Sequence, residues 1–467
     1  MEPALGPDAS CGATRTASEN RRILAGPSAS VSVSSSRRAT LVTAVLLGLS
    51  LPHAAVAEVE PAELVAELDA KIPEVVASGR SPSIQVAVVH RDRLVWSRAF
   101  GESTSVDHVY MNGSVQKVFD AVAVLELVEK GLIDLDGDVN RYLPFPVRHP
   151  GYPHRPITVR MLLDHRSGLV AFPHQFDWDT ECLFSSRDGP PCNGGLPEMS
   201  LGEYIETSLR SDTPNAGDDM WSQEPGSQFR YSIGAYPLLR YLVERVSRQS
   251  FPEFMRENLF EPLEMTSSGF SADEFADRHA VPYARVGGKD VALPVWNGNG
   301  YVMHTTAADQ AGLMIALMNG GRFGDREVLR PDTIALMSTA TTRFGGLFKS
   351  SEDLQWSGHG LGLLLFRGGW LGYGGSTQGF QCLWRFHPGK RVGYVILSNV
   401  NAIQSGPEDS ESVRREVYSV QNALLAILDP GLIWRGRTGE LMIAGAIALG
   451  WVVGIGIWWR RARTRNR

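Results

Sequence analysis

The hydrophobic pattern of the chain centres on Val118–Val128, a block in which only Asp120 and Glu126 are polar. Its apolar side chains cover most of the circumference of a helix, which is typical of a helix packed on several sides. Gly113 precedes the block in a predicted turn. Gly131 follows it as the helix end, because glycine readily adopts the conformation that terminates helices. We therefore expect a central, buried helix between these two glycines.

Strand patterns occur in two groups that are far apart in the chain. The first group is Ile84–His90 and Arg93–Phe100, whose short separation predicts a hairpin. The second group consists of Leu361–Arg367, Gln381–His387 and Val392–Ser398. Helical patterns lie before and between the groups, at Pro61–Ala77, Thr158–Leu163, Leu201–Leu209, Leu238–Ser247, Phe251–Phe260 and Ala311–Met318. This order predicts an α+β fold, in which one antiparallel sheet is built from both ends of the domain around a helical insertion.

The amino-terminal segment differs in composition from the predicted domain. Residues 1–36 are rich in Ser, Ala, Gly and Arg and show no apolar periodicity. Arg37-Arg38, the apolar run Ala39–Leu51 and the ending Ala55-Val56-Ala57 follow. A basic start, an apolar run and small residues at the end are typical of a secretory signal. We expect residues 1–57 to be a disordered leader with a signal peptide.

The carboxy-terminal segment predicts a membrane anchor. Leu441–Trp459 is an uninterrupted apolar run without charge, long enough to span a bilayer as a helix. An arginine-rich tail, 460–467, follows it, and such tails remain on the cytoplasmic side. We therefore expect one domain at residues 58–434 on the periplasmic or extracellular side, and a membrane helix with a cytoplasmic tail within 435–467.

Composition narrows the possible partners and cofactors. A formal net charge of -6 and an isoelectric point near 6.0 provide no basic surface for nucleic acid. Cys182 and Cys192 flank a Gly/Pro-rich loop and are candidates for a disulfide in an oxidising compartment, whereas Cys382 is expected as a buried free thiol. Histidine and cysteine spacings typical of metal sites are absent, so we expect no metal and no cofactor. His165 is interpreted as a packing histidine.

Ser114 and Lys117 begin the central helix and are the first candidates for chemistry. One helical turn separates them, so their side chains share a face. A serine hydroxyl becomes a good nucleophile when a base removes its proton, and burial among apolar residues favours the neutral amine of a lysine. The alternative is a capping serine beside a surface lysine, and this short motif alone does not decide between the two.

Five motifs follow one another along the chain. They are Ser114-Val-Gln-Lys117, Leu162-Leu-Asp-His-Arg-Ser-Gly-Leu169, Glu224–Tyr236, Glu261-Pro-Leu-Glu-Met265 and Tyr373-Gly-Gly-Ser376. This ordered set resembles the serine β-lactamase and penicillin-binding-protein superfamily, specifically the branch related to class C β-lactamases, certain esterases and D-peptidases. The likeness runs from about Ile84 to Asn399. The resemblance implies a β-lactamase/transpeptidase-like fold.

The same resemblance implies an acyl-enzyme mechanism. Ser114 is then the nucleophile, and Lys117 and Tyr231 share the proton transfers, with the first base left open between them. The backbone N–H groups of Ser114 and Ser376 are the implied oxyanion hole. The third motif, from Tyr373 through Gly374 and Gly375, and the residue Ile233 are the implied substrate contacts.

Two departures from the superfamily pattern bear on the substrate. Ile233 stands where an asparagine is usual, and Tyr373 stands where lysine or histidine is usual. Isoleucine forms no side-chain hydrogen bond and a neutral tyrosine carries no charge, so both changes favour neutral esters or related acyl compounds. The prediction is a membrane-anchored, carboxylesterase-like serine hydrolase. The alternatives are a penicillin-binding D,D-peptidase or β-lactamase acting on peptide-like substrates, and an acylating sensor or binding module without turnover.

Overall fold

The computed structural model describes residues 61–172, 200–209, 220–295, 301–344, 356–402 and 406–432. The predicted leader, the candidate pair Cys182 and Cys192, and the predicted membrane helix Leu441–Trp459 lie outside these residues. Within the described ranges, none of the helices has both the length and the apolar content needed to cross a bilayer.

Helices occupy the middle of the described chain and both of its ends. They are α1 (Pro61–Ala77), α2 (Gln116–Glu129), α3 (Val159–Leu163), α4 (Leu201–Leu209), α5 (Ala235–Ser247), α6 (Phe251–Met255), α7 (Ala307–Met318), α8 (Pro331–Met337) and α9 (Pro407–Leu428). The predicted helix Phe251–Phe260 is confirmed in extent, but its second half, Arg256–Phe260, is π-helical.

All five strands predicted from the sequence are present among the fifteen strands that the described residues form. They are β1 (Ser83–His90), β2 (Arg93–Gly101), β3 (Tyr110–Met111), β4 (Tyr283–Val286), β5 (Lys289–Ala292), β6 (His304–Thr305), β7 (Arg322–Phe323), β8 (Arg326–Glu327), β9 (Thr342–Arg343), β10 (Trp356–His359), β11 (Leu364–Phe366), β12 (Leu371–Thr377), β13 (Phe380–His387), β14 (Val392–Ser398) and β15 (Val400–Asn401).

An eight-stranded sheet forms the centre of the fold, in the order β2-β1-β14-β13-β12-β11-β10-β9. Every neighbouring pair is antiparallel. In the β1–β14 pair, Ile84 lies opposite Ser398, so the first strand pairs with the last one of this sheet. The prediction of one antiparallel sheet built from both ends of the domain is confirmed.

Two details of the sheet differ from the sequence prediction. The strand predicted at Leu361–Arg367 is shorter, because Gly362 and Gly368 have positive φ angles of 75° and 76° and end it on both sides. β12 was recognised as a motif but not predicted as a strand, since Leu371–Thr377 contains three glycines. Glycine is disfavoured inside strands, so close packing must account for this strand.

Helices cover both faces of the sheet. On β13, the indole of Trp384 donates to the carbonyl of Gln310 in α7 at 3.0 Å. On β14, the hydroxyl of Tyr394 donates to the side chain of Gln421 in α9 at 3.0 Å. Tyr394 lies opposite Arg385, the neighbour of Trp384, and successive strand residues point to opposite faces. Therefore α7 and α9 pack on opposite sides.

The predicted central helix is confirmed as α2. It is buried along nearly its whole length and ends at Lys130, before Gly131 with a φ of 70°. Its buried carboxylate, Asp120, accepts two hydrogen bonds from Arg240 of α5 at 2.9 and 3.0 Å. This ion pair joins the two helices. It also engages Asp120, the acidic residue nearest to Lys117 along the helix, with Arg240.

Candidate active site

Ser114 lies in a 3₁₀ turn, Gly113–Val115, which leads directly into α2. Lys117 follows in the first turn of the helix and donates from Nζ to Ser114 Oγ at 3.1 Å. Only 5% of Lys117 is exposed, so its amine is enclosed rather than solvated. The alternative interpretation of Lys117 as a surface lysine is therefore wrong.

Tyr231 completes a three-residue cluster at the serine hydroxyl. Its Oη donates to Ser114 Oγ at 2.8 Å, although 117 positions separate the two residues. Lys117 Nζ lies 5.3 Å from the ring centroids of both Tyr231 and Tyr236, a distance at which a cation interacts with the ring faces. Tyr231 is 39% exposed, so the cluster is reachable from solvent.

Two glycines allow β12 to approach the serine turn. A side chain at Gly375 would place its Cβ 2.0 Å from the carbonyl oxygen of Asn112 and 3.2 Å from the backbone nitrogen of Ser114. Gly113 has a φ of 53°, and a Cβ there would lie 2.7 Å from the backbone nitrogen of Ser376. The fold thus brings the backbone nitrogens of Ser114 and Ser376 into one corner, as an oxyanion hole requires. Their role as donors stays a prediction.

Tyr373 is buried beneath the cluster, with 2% of its surface exposed. Its hydroxyl lies 3.1 Å from His165 Nε2, and it adjoins the hydroxyl of Tyr231. Burial, together with the neighbouring tyrosines Tyr231 and Tyr236, raises the pKa of Tyr373 well above 10. The phenol is therefore protonated near neutral pH and can donate a hydrogen bond.

His165 has a defined tautomer at this position. The backbone N–H of Ser232 donates to His165 Nδ1 at 3.0 Å, so that nitrogen is the acceptor. Burial and then the charges of His359 and Lys117 lower the pKa of His165 well below 6.5, which keeps the ring neutral. A neutral imidazole with an accepting Nδ1 carries its proton on Nε2. The donor to the Tyr373 hydroxyl is therefore His165 Nε2–H.

A pocket of about 180 Å³ adjoins the cluster. Its lining is mostly aromatic and includes two of the predicted substrate contacts, together with one arginine. The lining residues are Phe229, Tyr231, Trp356, Leu364, Tyr373, Gly374, Arg385 and Tyr418. Ile233 is half-buried and its backbone N–H donates to the carbonyl of Val170 at 2.8 Å, so its predicted contact with substrate stays a prediction.

Sequence reasoning missed two residues of this site. His165 was interpreted as a packing histidine, but its ring nitrogens join Ser232 to Tyr373. Its place in the motif Leu162–Leu169 was the available signal. Arg385 was not singled out, because an arginine in a strand pattern is typical of a solvated face. Cys382 is buried and free, as predicted. Among the residues described, no group of three or more metal-ligating side chains comes together.

The antiparallel sheet, its helical layers and the Ser-Lys-Tyr cluster define a protein of the serine β-lactamase and penicillin-binding-protein type. The Beta-lactamase family model matches residues 68–417, and the chain belongs to this family. The helical insertion between β2 and β9 carries α2 to α8, and Tyr231 comes from that insertion.

Similarity to individual proteins is distant but extends over most of the chain. Protein flp of Staphylococcus aureus is 21% identical over 355 residues, which are 72% of this chain and 63% of flp. The chain thus spans less than two thirds of the length of the curated relatives it matches first.

Two solved structures support the fold. The octameric penicillin-binding protein homologue from Pyrococcus abyssi has a TM-score of 0.61 and 23% identity, covering 78% of this chain and 77% of its own. EstCE1, a hydrolase with promiscuous acyltransferase activity, has a TM-score of 0.55 and 20% identity, covering 77% of this chain and 99% of its own. At these identities the likeness concerns the fold alone.

Proposed function

We propose that this protein is a serine hydrolase that forms an acyl-enzyme at Ser114 with ester or related acyl substrates. One observation carries the proposal: Lys117 Nζ and Tyr231 Oη both lie within hydrogen-bonding distance of Ser114 Oγ. A base beside a serine hydroxyl is the arrangement that activates a nucleophile. A protein that only bound ligands would gain nothing from an enclosed amine there.

The reaction follows from this arrangement in two halves. Ser114 Oγ forms a bond to the substrate carbonyl carbon while its proton passes to the Lys117–Tyr231 pair. The carbonyl oxygen becomes negative and is stabilised by the backbone N–H groups of Ser114 and Ser376. The intermediate then expels the alcohol, which takes up the proton. Water, activated by the same pair, hydrolyses the acyl-enzyme and restores Ser114.

We assign the first proton transfer to Tyr231, and the hydrogen-bond chain behind it supports this choice. His165 Nε2–H donates to Tyr373, which leaves the proton of the Tyr373 hydroxyl to be directed at Tyr231 Oη. A donor at this oxygen stabilises the negative charge that develops on Tyr231 Oη during the proton transfers. Tyr373 and His165 act through Tyr231 and are positioning residues.

The preference for esters rests on two positions of the site. Tyr373 is buried and bonded within the protein, so it adds no cation at the place where the superfamily usually has one. Ile233 adds no polar side chain.

We propose further that the domain is exported and anchored to the cytoplasmic membrane. The signal-like leader and the apolar run Leu441–Trp459 with its arginine-rich tail support this location. Cleavage of the domain by an external protease in intact spheroplasts tests it. If the domain were protected until lysis, the proposed location would be wrong.

The function is tested by the time course of p-nitrophenyl butyrate hydrolysis by the full-length protein in detergent. Sustained release that is absent in the Ser114→Ala variant is the expected result. A single stoichiometric burst would instead indicate an acylating sensor. If no release depended on Ser114, ester hydrolysis would be excluded and D-peptides and β-lactams would be tested next.

A further inference from the structure

A buried carboxylate lies one helical turn from the candidate base. Asp120 follows Lys117 by three residues in α2, so the two side chains share a face of the helix. Both are enclosed, with 5% of Lys117 and 1% of Asp120 exposed. A carboxylate this close to a lysine stabilises its ammonium form, which cannot accept a proton. Left to itself, Asp120 would therefore oppose the role of Lys117 as a base.

Arg240 of α5 binds this carboxylate. Its Nη2 and Nε donate to Asp120 Oδ2 at 2.9 and 3.0 Å. Gln116 Nε2 donates to the other oxygen, Oδ1, at 3.5 Å. A carboxyl group that accepts hydrogen bonds at both oxygens is ionised, because the protonated form would have to donate from one of them. Burial raises the pKa of Asp120, and the charge and hydrogen bonds of Arg240 act against this rise.

One face of α5 covers both Lys117 and Asp120. Tyr236 and Arg240 are four residues apart in α5, so they too share a face. The ring centroid of Tyr236 lies 5.3 Å from Lys117 Nζ, and Arg240 binds Asp120. The two helices thus place a neutral ring against the amine and a cation against the carboxylate. Arg240 compensates the charge of Asp120 before it reaches Lys117.

The other titratable groups around Lys117 do not supply this compensation. Burial raises the pKa values of Tyr236 and Tyr373 well above 10 and lowers that of His165 well below 6.5, so all three are neutral near pH 7. The groups that face Lys117 and its partner tyrosine are Ser114 and Asp120 of α2, Tyr236 and Arg240 of α5, Tyr231, His165 and Tyr373, while Asp164, paired with Arg166, acts on Tyr236.

We propose that Arg240 is a positioning residue of the reaction: it neutralises Asp120 and so leaves Lys117 available as a base, rather than fixed as the ammonium partner of a carboxylate. This inference rests on the proposed function and deepens it. The low-pH limb of kcat/KM reports the loss of a proton from the Lys117–Tyr231 pair as a whole. Its position should therefore depend on an ion pair that acts only through Lys117.

Two single substitutions break this ion pair but leave opposite charges beside Lys117. Arg240→Met leaves the carboxylate, and the low-pH limb of kcat/KM should move to higher pH by about one unit or more. Asp120→Asn leaves the guanidinium, and the limb should move to lower pH by about as much. A role confined to joining the helices would affect both variants alike. The measurement is p-nitrophenyl butyrate hydrolysis per active site across pH, with the full-length protein in detergent.

Three further variants separate charge from packing. Arg240→Lys keeps the cation and should keep the limb near its natural position. The double variant Asp120→Asn/Arg240→Met removes both charges and should return the limb there. Arg285→Met is the matched control, since it breaks a buried ion pair with other carboxylates and should not move the limb. Burial raises the pKa of Asp164 to about 6, in the same range, but this group is common to all variants.

Shifts in the same direction in both single variants, or an unmoved limb in Asp120→Asn, would overturn the proposal while leaving the hydrolase intact. Asparagine has the shape of aspartate, so Asp120→Asn tests the proposal even where Arg240→Met does not fold. Absence of Ser114-dependent release by the natural protein would instead overturn the proposed function.

Discussion

Two regions of this protein bury an arginine, and they treat its charge differently. Beneath α9, Arg285 is fully buried, and its guanidinium donates to Asp290 at 2.7 and 3.0 Å and to Glu416 at 2.5 Å. Beside β12, Arg385 is similarly enclosed, but its guanidinium donates to backbone carbonyls and contacts the ring of Phe366, and it has no ion pair among the described residues. Carboxylates neutralise Arg285 within the fold, whereas no carboxylate of the described residues neutralises Arg385.

Lys117 follows the pattern of Arg385. Its Nζ is bonded to a hydroxyl, and the nearby carboxylate of Asp120 is held by Arg240. The two buried cations that hold helices or strands together, Arg240 and Arg285, both have carboxylates. The comparison teaches that the buried cations near Ser114 are not optimised for stability, and four predictions test this difference.

The largest effect is expected for Lys117→Met, which should lower kcat by about 10³-fold or more, because proton transfer in the site is lost. The free energy of unfolding should stay constant or rise, since methionine is a similar-sized apolar replacement for an unpaired buried amine. Ester kinetics and urea denaturation measure the two quantities. A large loss of stability would show that the amine supports the fold and would break the comparison.

The opposite result is expected for Arg285→Met. The change leaves the half-buried carboxylates of Asp290 and Glu416 without their cation, so the free energy of unfolding should fall by about 3 kcal/mol. Activity per folded molecule should be retained, because the residue lies away from Ser114. Urea denaturation combined with active-site titration checks this. Unchanged stability would contradict the structural role given to this ion pair.

Acid should convert buried neutral histidines into unpaired cations. His279 Nε2 lies 2.9 Å from His304 Nδ1, and burial lowers the pKa of these rings to about 4 and about 3. Their ordinary value is 6.5, so between pH 6.5 and about 4 the unfolded chain binds protons that the folded one does not. Stability is therefore lost as the pH falls, by about 1.4 kcal/mol per pH unit for each histidine.

Urea denaturation at pH 7 and pH 5, with His304→Gln beside the natural protein, isolates this effect. Other groups act in the opposite direction: burial raises the pKa of Asp164 to about 6, which favours the folded state as the pH falls below that value. This contribution is common to both proteins. The variant should therefore lose less stability on acidification, and identical losses would refute the assignment.

The smallest effect is expected for Tyr373→Phe. It removes the hydroxyl that His165 donates to and that directs a proton at Tyr231, so kcat should fall about 10-fold, the value of one hydrogen bond. KM should change little, and the low-pH limb of kcat/KM should move to higher pH. Tyr236→Phe is a control, since its hydroxyl bonds the carbonyl of Leu163 at 3.0 Å. Equal pH profiles in both variants would exclude the relay.

The sequence predicted the parts of this molecule that depend on local pattern. The apolar circumference of α2 and the two hairpins follow from neighbouring residues and were found with nearly correct bounds. The hydrogen bond between Tyr231 and Ser114 joins segments that are far apart in the sequence, and only the resemblance to a family predicted it. β12 escaped prediction because it contains three glycines, which lower strand propensity, and one of them, Gly375, is required by the close approach to the serine turn.

The electrostatic character of the site could not be predicted from the sequence, for a different reason. Whether a charged residue is paired depends on which distant carboxylates reach it, and Arg285 and Arg385 look alike as strand residues. His165 shows the same limit. Its tautomer is set by the backbone N–H of Ser232, 67 positions away, which no side-chain pattern records.

The pairing of β1 with β14 has a consequence for how the chain becomes folded. The backbone N–H of Ser83 donates to the side chain of Asn399 at 2.7 Å, across 316 positions. Synthesis must therefore proceed almost to the end of the domain before the first hairpin finds its partner. Such long-range pairing forms slowly. Until β14 is available, one edge of β1 has no partner strand, and other chains can pair with it. Until residue 399 has been synthesised, this edge of β1 is therefore a site at which nascent chains can aggregate.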